Sequence, residues 1–200
     1  NKQQLAFEPI DFGYLFLGKS NYGTAAGQVA CNIFGPRRHK VGSVRDHVLG
    51  LRGVNGKGEI IKSGGVVVKN VTGYDLSKLV CGSDCTLVAL TAITFKVLPT
   101  TAESTTLVIH NIKLEKAIDL LGQAISSSND ISGATFFPTE PKCTGCVMNI
   151  EATFKLNDLK YGGSFTAIRI EGTKNSINER VKNLKSELKI IEYDVSILST

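Results

Sequence analysis

At 200 residues, with 42% hydrophobic and 20% charged side chains, the chain has the composition of a folded protein large enough for one large domain or two small ones. Its net charge of +5, from 23 basic and 18 acidic residues, is mild and sets up no general polyanion-binding field. No apolar run reaches the ~18 residues of a membrane span, Asn1-Lys2-Gln3-Gln4 opens no signal peptide, and five cysteines (an odd number) do not fit a secreted disulfide framework, so a reducing cytoplasm is the expected compartment.

Residues 1–22 read as extended and loop-like, punctuated by Pro9, Gly13, Gly18 and Asn21. The stretch GTAAGQVACNIFG (23–35) reads as a short helix, with Thr24 as N-cap and Gly35 where a C′ glycine belongs. GPRRHKVG (35–42) is expected as a turn-rich, solvated basic loop. Val48–Asn55 and Glu59–Lys62 form a hairpin with Asn55-Gly56 as its turn. GGVVVKN (64–70) reads as a further short strand, and Asp75 caps a brief helical turn through Leu79. TLVALTAITFKVL (86–98) is β-rich and ends at Pro99.

The second half changes character. Thr105–Ile109 is strand-like, and Leu114, Ala117, Ile118, Leu121 and Ile125 recur at helical spacing over 113–127. Strands are expected at Ile131–Phe137, Phe165–Ile170 and Ile190–Leu198. Ile177, Val181, Leu184 and Leu188 mark a helix over 174–189, with Thr173 as its cap. The order βαββαβ is the ferredoxin-like pattern, here with an insertion near 139–163. The expected class is therefore α+β, in two domains, 1–100 and 101–200.

Few residues carry chemistry of their own. The start of the 23–35 helix, with Thr24, Ala25, Ala26 and Gly27, has the small residues and free N–H groups that suit an anion, although close helix packing explains them as well. Arg37-Arg38-His39-Lys40 is the densest basic cluster, but no interleaved aromatics or recognition helix accompany it, so no nucleic-acid partner is expected. Cys143-Thr-Gly-Cys146 is a lone CxxC without further ligands, so no metal is expected. His39, His47 and His110 form no recognisable motif, and no P-loop, HExxH or GxSxG occurs.

Three stretches carry a resemblance. They are GTAAGQVACNIFGPRRHKVGSVRDHVLGLRGVNGKGEII, GGVVVKNVTGYDLSKLVCGSDCTLVALTAITFKVLP, and ISGATFF with FTAIRIEG. Together they resemble the FAD-linked oxidases of the vanillyl-alcohol-oxidase (PCMH) type, and among these the FAD-binding subunits of bacterial glycolate oxidases. The resemblance implies the second subdomain of a PCMH-type FAD-binding domain over 1–100, followed by a ferredoxin-like domain. It implies FAD contacts from Thr24, Gly27, Ala30, Asn32 and Gly35 on the first stretch, and from the turn Gly82, Ser83, Asp84, Cys85, Thr86 and Leu87 on the second. KNVTGYD is the segment that positions this turn.

The family turn has glycines where this chain has Cys85 and Val88, and catalytic relatives carry a basic residue where Val68 stands. The family also places a glycine-rich subdomain before this region, so a chain that begins after it is expected to hold FAD weakly or not at all. The resemblance further implies a catalytic flavin subunit and an iron–sulfur subunit of a glycolate oxidase complex as partners. It allows peripheral attachment to the inner membrane through that complex. Two readings follow: an FAD-binding subunit, or an assembly subunit that no longer binds FAD. A polyanion-binding module built on Arg37–Lys40 is a third.

Overall fold

A computed structural model of the chain describes residues 2–67, 73–138 and 163–199. The chain divides into two compact units, Asn1–Thr100 and Thr101–Thr200.

In the first unit, β1 (Gln3–Gln4) pairs antiparallel with β5 (Leu98–Pro99). A three-stranded antiparallel sheet has β2 (Val48–Asn55) at its centre, between β3 (Ile60–Gly64) and β4 (Val88–Phe95). Four short helices accompany it: α1 (Phe12–Leu17), α2 (Ala25–Ala30), α3 (Arg38–Val41) and α4 (Leu76–Val80). The core gathers Phe7, Val29, Val44 and Val48, with Leu51, Val80 and Val88 as a second cluster.

Several local expectations change here. Residues 12–17 are helical, not extended: Asp11 caps them by accepting from the Gly13 N–H at 2.9 Å. The β2–β3 turn is not Asn55-Gly56 alone. Asn55 N donates to Glu59 O across a three-residue loop, and Gly58 takes φ 80°, the left-handed residue such a loop requires. Asn55 Oδ1 then accepts from the N–H groups of Lys57 and Glu59. The strand expected over 64–70 ends at Gly64, with Val66 and Val67 in bends and exposed, and residues 68–70 outside the described part. The strand expected from residue 86 starts at Val88, because Ser83–Thr86 closes a turn first. Asp75 does cap α4, accepting from Lys78 N at 3.2 Å.

The second unit runs β6 (Glu103–His110), α5 (Leu114–Ser126), β7 (Ile131–Phe137), β8 (Phe165–Gly172), α6 (Lys174–Glu187) and β9 (Val195–Ser199). The sheet order is β7-β8-β6-β9, with every neighbouring pair antiparallel. That is the ferredoxin-like arrangement, produced when two right-handed βαβ crossovers interleave. The two helices share a core with Leu107, Ile109, Ile168 and Ile170 of the sheet.

On α6, Ile177, Leu184 and Leu188 are buried as expected, whereas Thr173 stands at the N-cap without a side-chain bond. On α5 the expected stripe holds in part: Ala117 is buried and Leu121 packs against the core, joined by Leu120 and Ala124, while Leu114, Ile118 and Ile125 are exposed. Two alanines let the helix approach the sheet closely, an arrangement that favours small residues over the larger apolar ones beside them. After α6, Lys189 takes φ 51° and Ile190–Glu192 forms a 3₁₀ turn, so the last strand begins at Val195 and not at Ile190. The insertion at 139–162, with Cys143 and Cys146, lies outside the described residues. Among the described residues no helix is long and apolar enough to cross a membrane.

Candidate functional site

The first candidate stretch folds around its helix ends. Thr24 is extended (φ −105°, ψ 148°), and its Oγ1 accepts from Gly27 N at 3.1 Å. At the other end Asn32 takes φ 50°. Its N–H donates to Val29 O at 3.1 Å, and Ile33 N donates to Gln28 O at 2.9 Å. This is a Schellman cap with Asn32, not Gly35, at C′; asparagine is the side chain that best tolerates the left-handed region. Asn32 Oδ1 also accepts from Arg45 N at 3.1 Å, which fixes the exit from the helix.

The second stretch docks onto that same end. Gly82 N donates to Val29 O at 3.0 Å and Asp84 N to Ala30 O at 2.9 Å, so the turn docks on carbonyls of the helix's last turn, sharing Val29 O with the cap. Thr86 closes the turn with its N–H and Oγ1 on Ser83 O, at 2.9 and 2.6 Å. Gly82, Asp84 and Cys85 all have positive φ, at 82°, 50° and 61°. Cys85 thus holds the conformation a glycine would take. Val88 turns inward: it is buried with Leu51 and Val80, with its Cγ1 against Gly53.

Beside α2 lies a cavity of about 290 Å³. Phe12 and Leu17 of α1, Tyr22, and Thr24, Gly27 and Cys31 on one side of α2 line it. The site residues read from sequence therefore fall into three groups. Thr24 and Gly27 open onto the cavity. Ala30, Asn32, Gly82, Asp84 and Cys85 meet at the helix–turn junction, with Ser83, Thr86 and Leu87 continuing the turn.

Gly35 belongs to neither place. It is buried, its N–H donates to Phe7 O at 2.8 Å, and a side chain there would run into Glu8 O, so its role is packing. Phe12, Leu17, Tyr22 and Cys31 were not singled out by sequence reasoning. The available signal was Asp11 as a cap ahead of an apolar run, masked by the helix breakers Gly13 and Gly18. Tyr74 is exposed, and Lys69 to Thr72 lie outside the described residues.

Other candidates lose ground. With six residues, α2 aligns few peptide dipoles at its N-terminus. Arg37 is buried and Arg38 stacks over the Phe34 ring at 4.0 Å, so the basic cluster is neither a solvated loop nor one open cationic face. His47 is buried against Phe7 with Nε2 donating to Val41 O at 2.9 Å, and His110 pairs with Ser196 Oγ at 2.9 Å.

The electrostatics of the junction centre on Asp84. Burial, followed by a hydrogen bond to the Asp84 carboxylate and the nearby charges of Asp84 and Cys85, pushes the Cys31 thiol up. Burial also pushes up the Cys81 thiol, which donates to Ser77 O at 3.2 Å.

These two stretches and the ferredoxin-like unit define an FAD-linked oxidase fold. It is shared with a solved alkyldihydroxyacetonephosphate synthase at a TM-score of 0.67 and 16% identity, over 97% of this chain and 35% of that one. By sequence the chain is a homologue of the glycolate oxidase subunits. It is 42% identical to glycolate oxidase subunit GlcE of Escherichia coli K12 over 135 residues, which is 68% of this chain and 36% of the relative. It is 37% identical to glycolate oxidase subunit GlcD of Bacillus subtilis 168 over 115 residues, or 58% of this chain and 23% of the relative. No family model matches the chain. The chain thus spans about a third or less of the length of these proteins.

Proposed function

We propose that the chain forms part of the FAD-binding subunit of a complex that oxidises glycolate or a related 2-hydroxy acid. The 42% identity to a glycolate oxidase subunit carries this reading. Thr24 and Gly27 would face the cofactor from α2, and the turn from Gly82 to Leu87 would meet it through its backbone. FAD, when bound, supplies the electron-transfer chemistry, and the chain supplies binding and orientation.

The residues present fit such a ligand. The cavity wall at Gly27 carries no side chain, the turn keeps positive φ at Cys85, and Val88 points away into the core. Substrate oxidation falls to a sister flavin subunit, an iron–sulfur subunit takes the electrons, and the assembly is cytoplasmic, reaching the membrane only peripherally. The test is to purify the full-length subunit together with its partner subunits. A stoichiometric, protein-bound flavin on this subunit is expected, and a colourless subunit after reconstitution with excess FAD refutes the proposal.

One observation favours a second reading, an assembly subunit that has lost FAD. The exposed side chain of Cys85 projects from the turn where glycine would leave space. On that reading Cys85→Gly raises flavin content. Unchanged content removes the steric argument.

A further inference from the structure

Three described cysteines are free thiols, and they differ in setting. Cys81 is half-buried and bonded to its own helix. Cys31 and Cys85 are both exposed and belong to separate stretches that the fold docks together. Asp84 N donates to Ala30 O at 2.9 Å, and the next residue on each side of that bond is a cysteine. Gly82 N on Val29 O, at 3.0 Å, fixes the same register one step earlier. The Asp84 carboxylate and Cys85 both act electrostatically on the Cys31 thiol, as groups of one docked junction do. Neither side chain belongs to a core cluster.

We propose that Cys31 and Cys85 are a redox-modification site, at which a hydroperoxide converts the two thiols into an intrachain disulfide that ties the 82–86 turn to the end of α2. The Cys85 sulfur attacks a peroxide oxygen. The O–O bond breaks, the leaving oxygen departs as water or alcohol, and Cys85 becomes a sulfenic acid. The Cys31 sulfur then attacks the Cys85 sulfur: the S–S bond forms, the S–O bond breaks, and water leaves. The proton that Cys31 gives up passes, by way of the Asp84 carboxylate, to the departing oxygen, which leaves as that water.

Two thiols lose two electrons in all, and the peroxide gains them. Cys31 takes the second step because local desolvation, and then the neighbouring Asp84 carboxylate, raise its thiol above the ordinary value. The site does not depend on whether the chain binds FAD.

The test treats the full chain with equimolar hydrogen peroxide, alkylates the remaining thiols, and maps peptides by mass spectrometry without reduction. A peptide pair joining Cys31 to Cys85 is expected, reverting with dithiothreitol. In Cys31→Ser, dimedone should trap Cys85 as its sulfenic acid. In Cys85→Ser, Cys31 should remain alkylatable. Separate alkylation of Cys31 and Cys85 after oxidation overturns the proposal. So does a bond from either to Cys81, Cys143 or Cys146, or a bond between two chains. The wild-type cross-link is read directly, so the result stands whether or not a serine variant folds.

Discussion

Gly27→Leu separates folding from cofactor binding. Gly27 lies within α2, where glycine costs about 0.5–1 kcal/mol relative to a good helix former, so leucine gains most of that. A Cβ there meets only Thr24 Oγ1, at 3.1 Å, within 4 Å. The neighbour must give by a few tenths of an ångström, which endangers a cap worth about 1 kcal/mol. The two effects nearly cancel, leaving stability within about 1 kcal/mol of the parent. The isobutyl group meanwhile enters a cavity of about 290 Å³ whose wall Gly27 forms. If FAD lies along this face, affinity falls at least tenfold, about 1.4 kcal/mol or more. The assay is bound flavin per chain, from visible absorbance of the full-length subunit, alongside a denaturant titration. Gly27→Ala adds a single carbon and serves as control. Full flavin content in Gly27→Leu, with an unchanged unfolding midpoint, refutes the placement of the cofactor on this face.

Asp46→Asn weakens the capping of the 3₁₀ turn at Val44–Asp46, since Asp46 Oδ2 accepts from Ser43 N at 2.7 Å and Ser43 Oγ at 3.0 Å. The expected loss is about 1 kcal/mol at neutral pH. The Ser43 backbone bond, foremost, holds the Asp46 carboxyl below its ordinary 3.8, so its contribution is present above that value and disappears as pH falls through the lower folded pKa. A urea-midpoint series should show parent and variant converging in acid; a constant gap contradicts the assignment. Leu120→Ala, at a fully buried position of the ferredoxin-like core, should cost about 2.7–5 kcal/mol in the same titration, and a loss under about 1 kcal/mol contradicts its burial. Gly35→Ala places a Cβ 2.0 Å from Glu8 O and should destabilise by about 1–3 kcal/mol; a neutral result would mean the 5–8 segment yields freely.

The second unit was legible because its strands and α6 announce their period, and the βαββαβ order leaves few topologies. On its α5 face Ala117 was read correctly, while Ala124 was missed because an alanine carries little hydrophobic weight in a sequence pattern yet permits close packing. The first unit was read less well. α1 contains Gly13 and ends before Gly18, and the helix cap at Asn32 lacks the glycine that usually marks one. Of the site, the two halves were legible through resemblance, but their meeting was not. A bond such as Asp84 N to Ala30 O joins residues far apart in the chain, and no local rule predicts it.

That docking also bears on the missing glycines. A non-glycine residue in the left-handed region costs about 1–2 kcal/mol, and this turn carries two in succession, Asp84 and Cys85. Such strain persists only where the surroundings over-determine the backbone. Here they do: Gly82 N and Asp84 N reach helix-end carbonyls, and Thr86 closes the turn on Ser83 O with both its N–H and its hydroxyl. At about 0.5–1.5 kcal/mol each, these bonds are of the size needed to offset two strained residues. The backbone path associated with glycine can therefore survive the loss of glycine. The substitution at Cys85 changes what projects from the turn, adding a thiol next to Asp84, and it is this added chemistry, more than any lost flexibility, that sets the chain apart from the family turn it resembles.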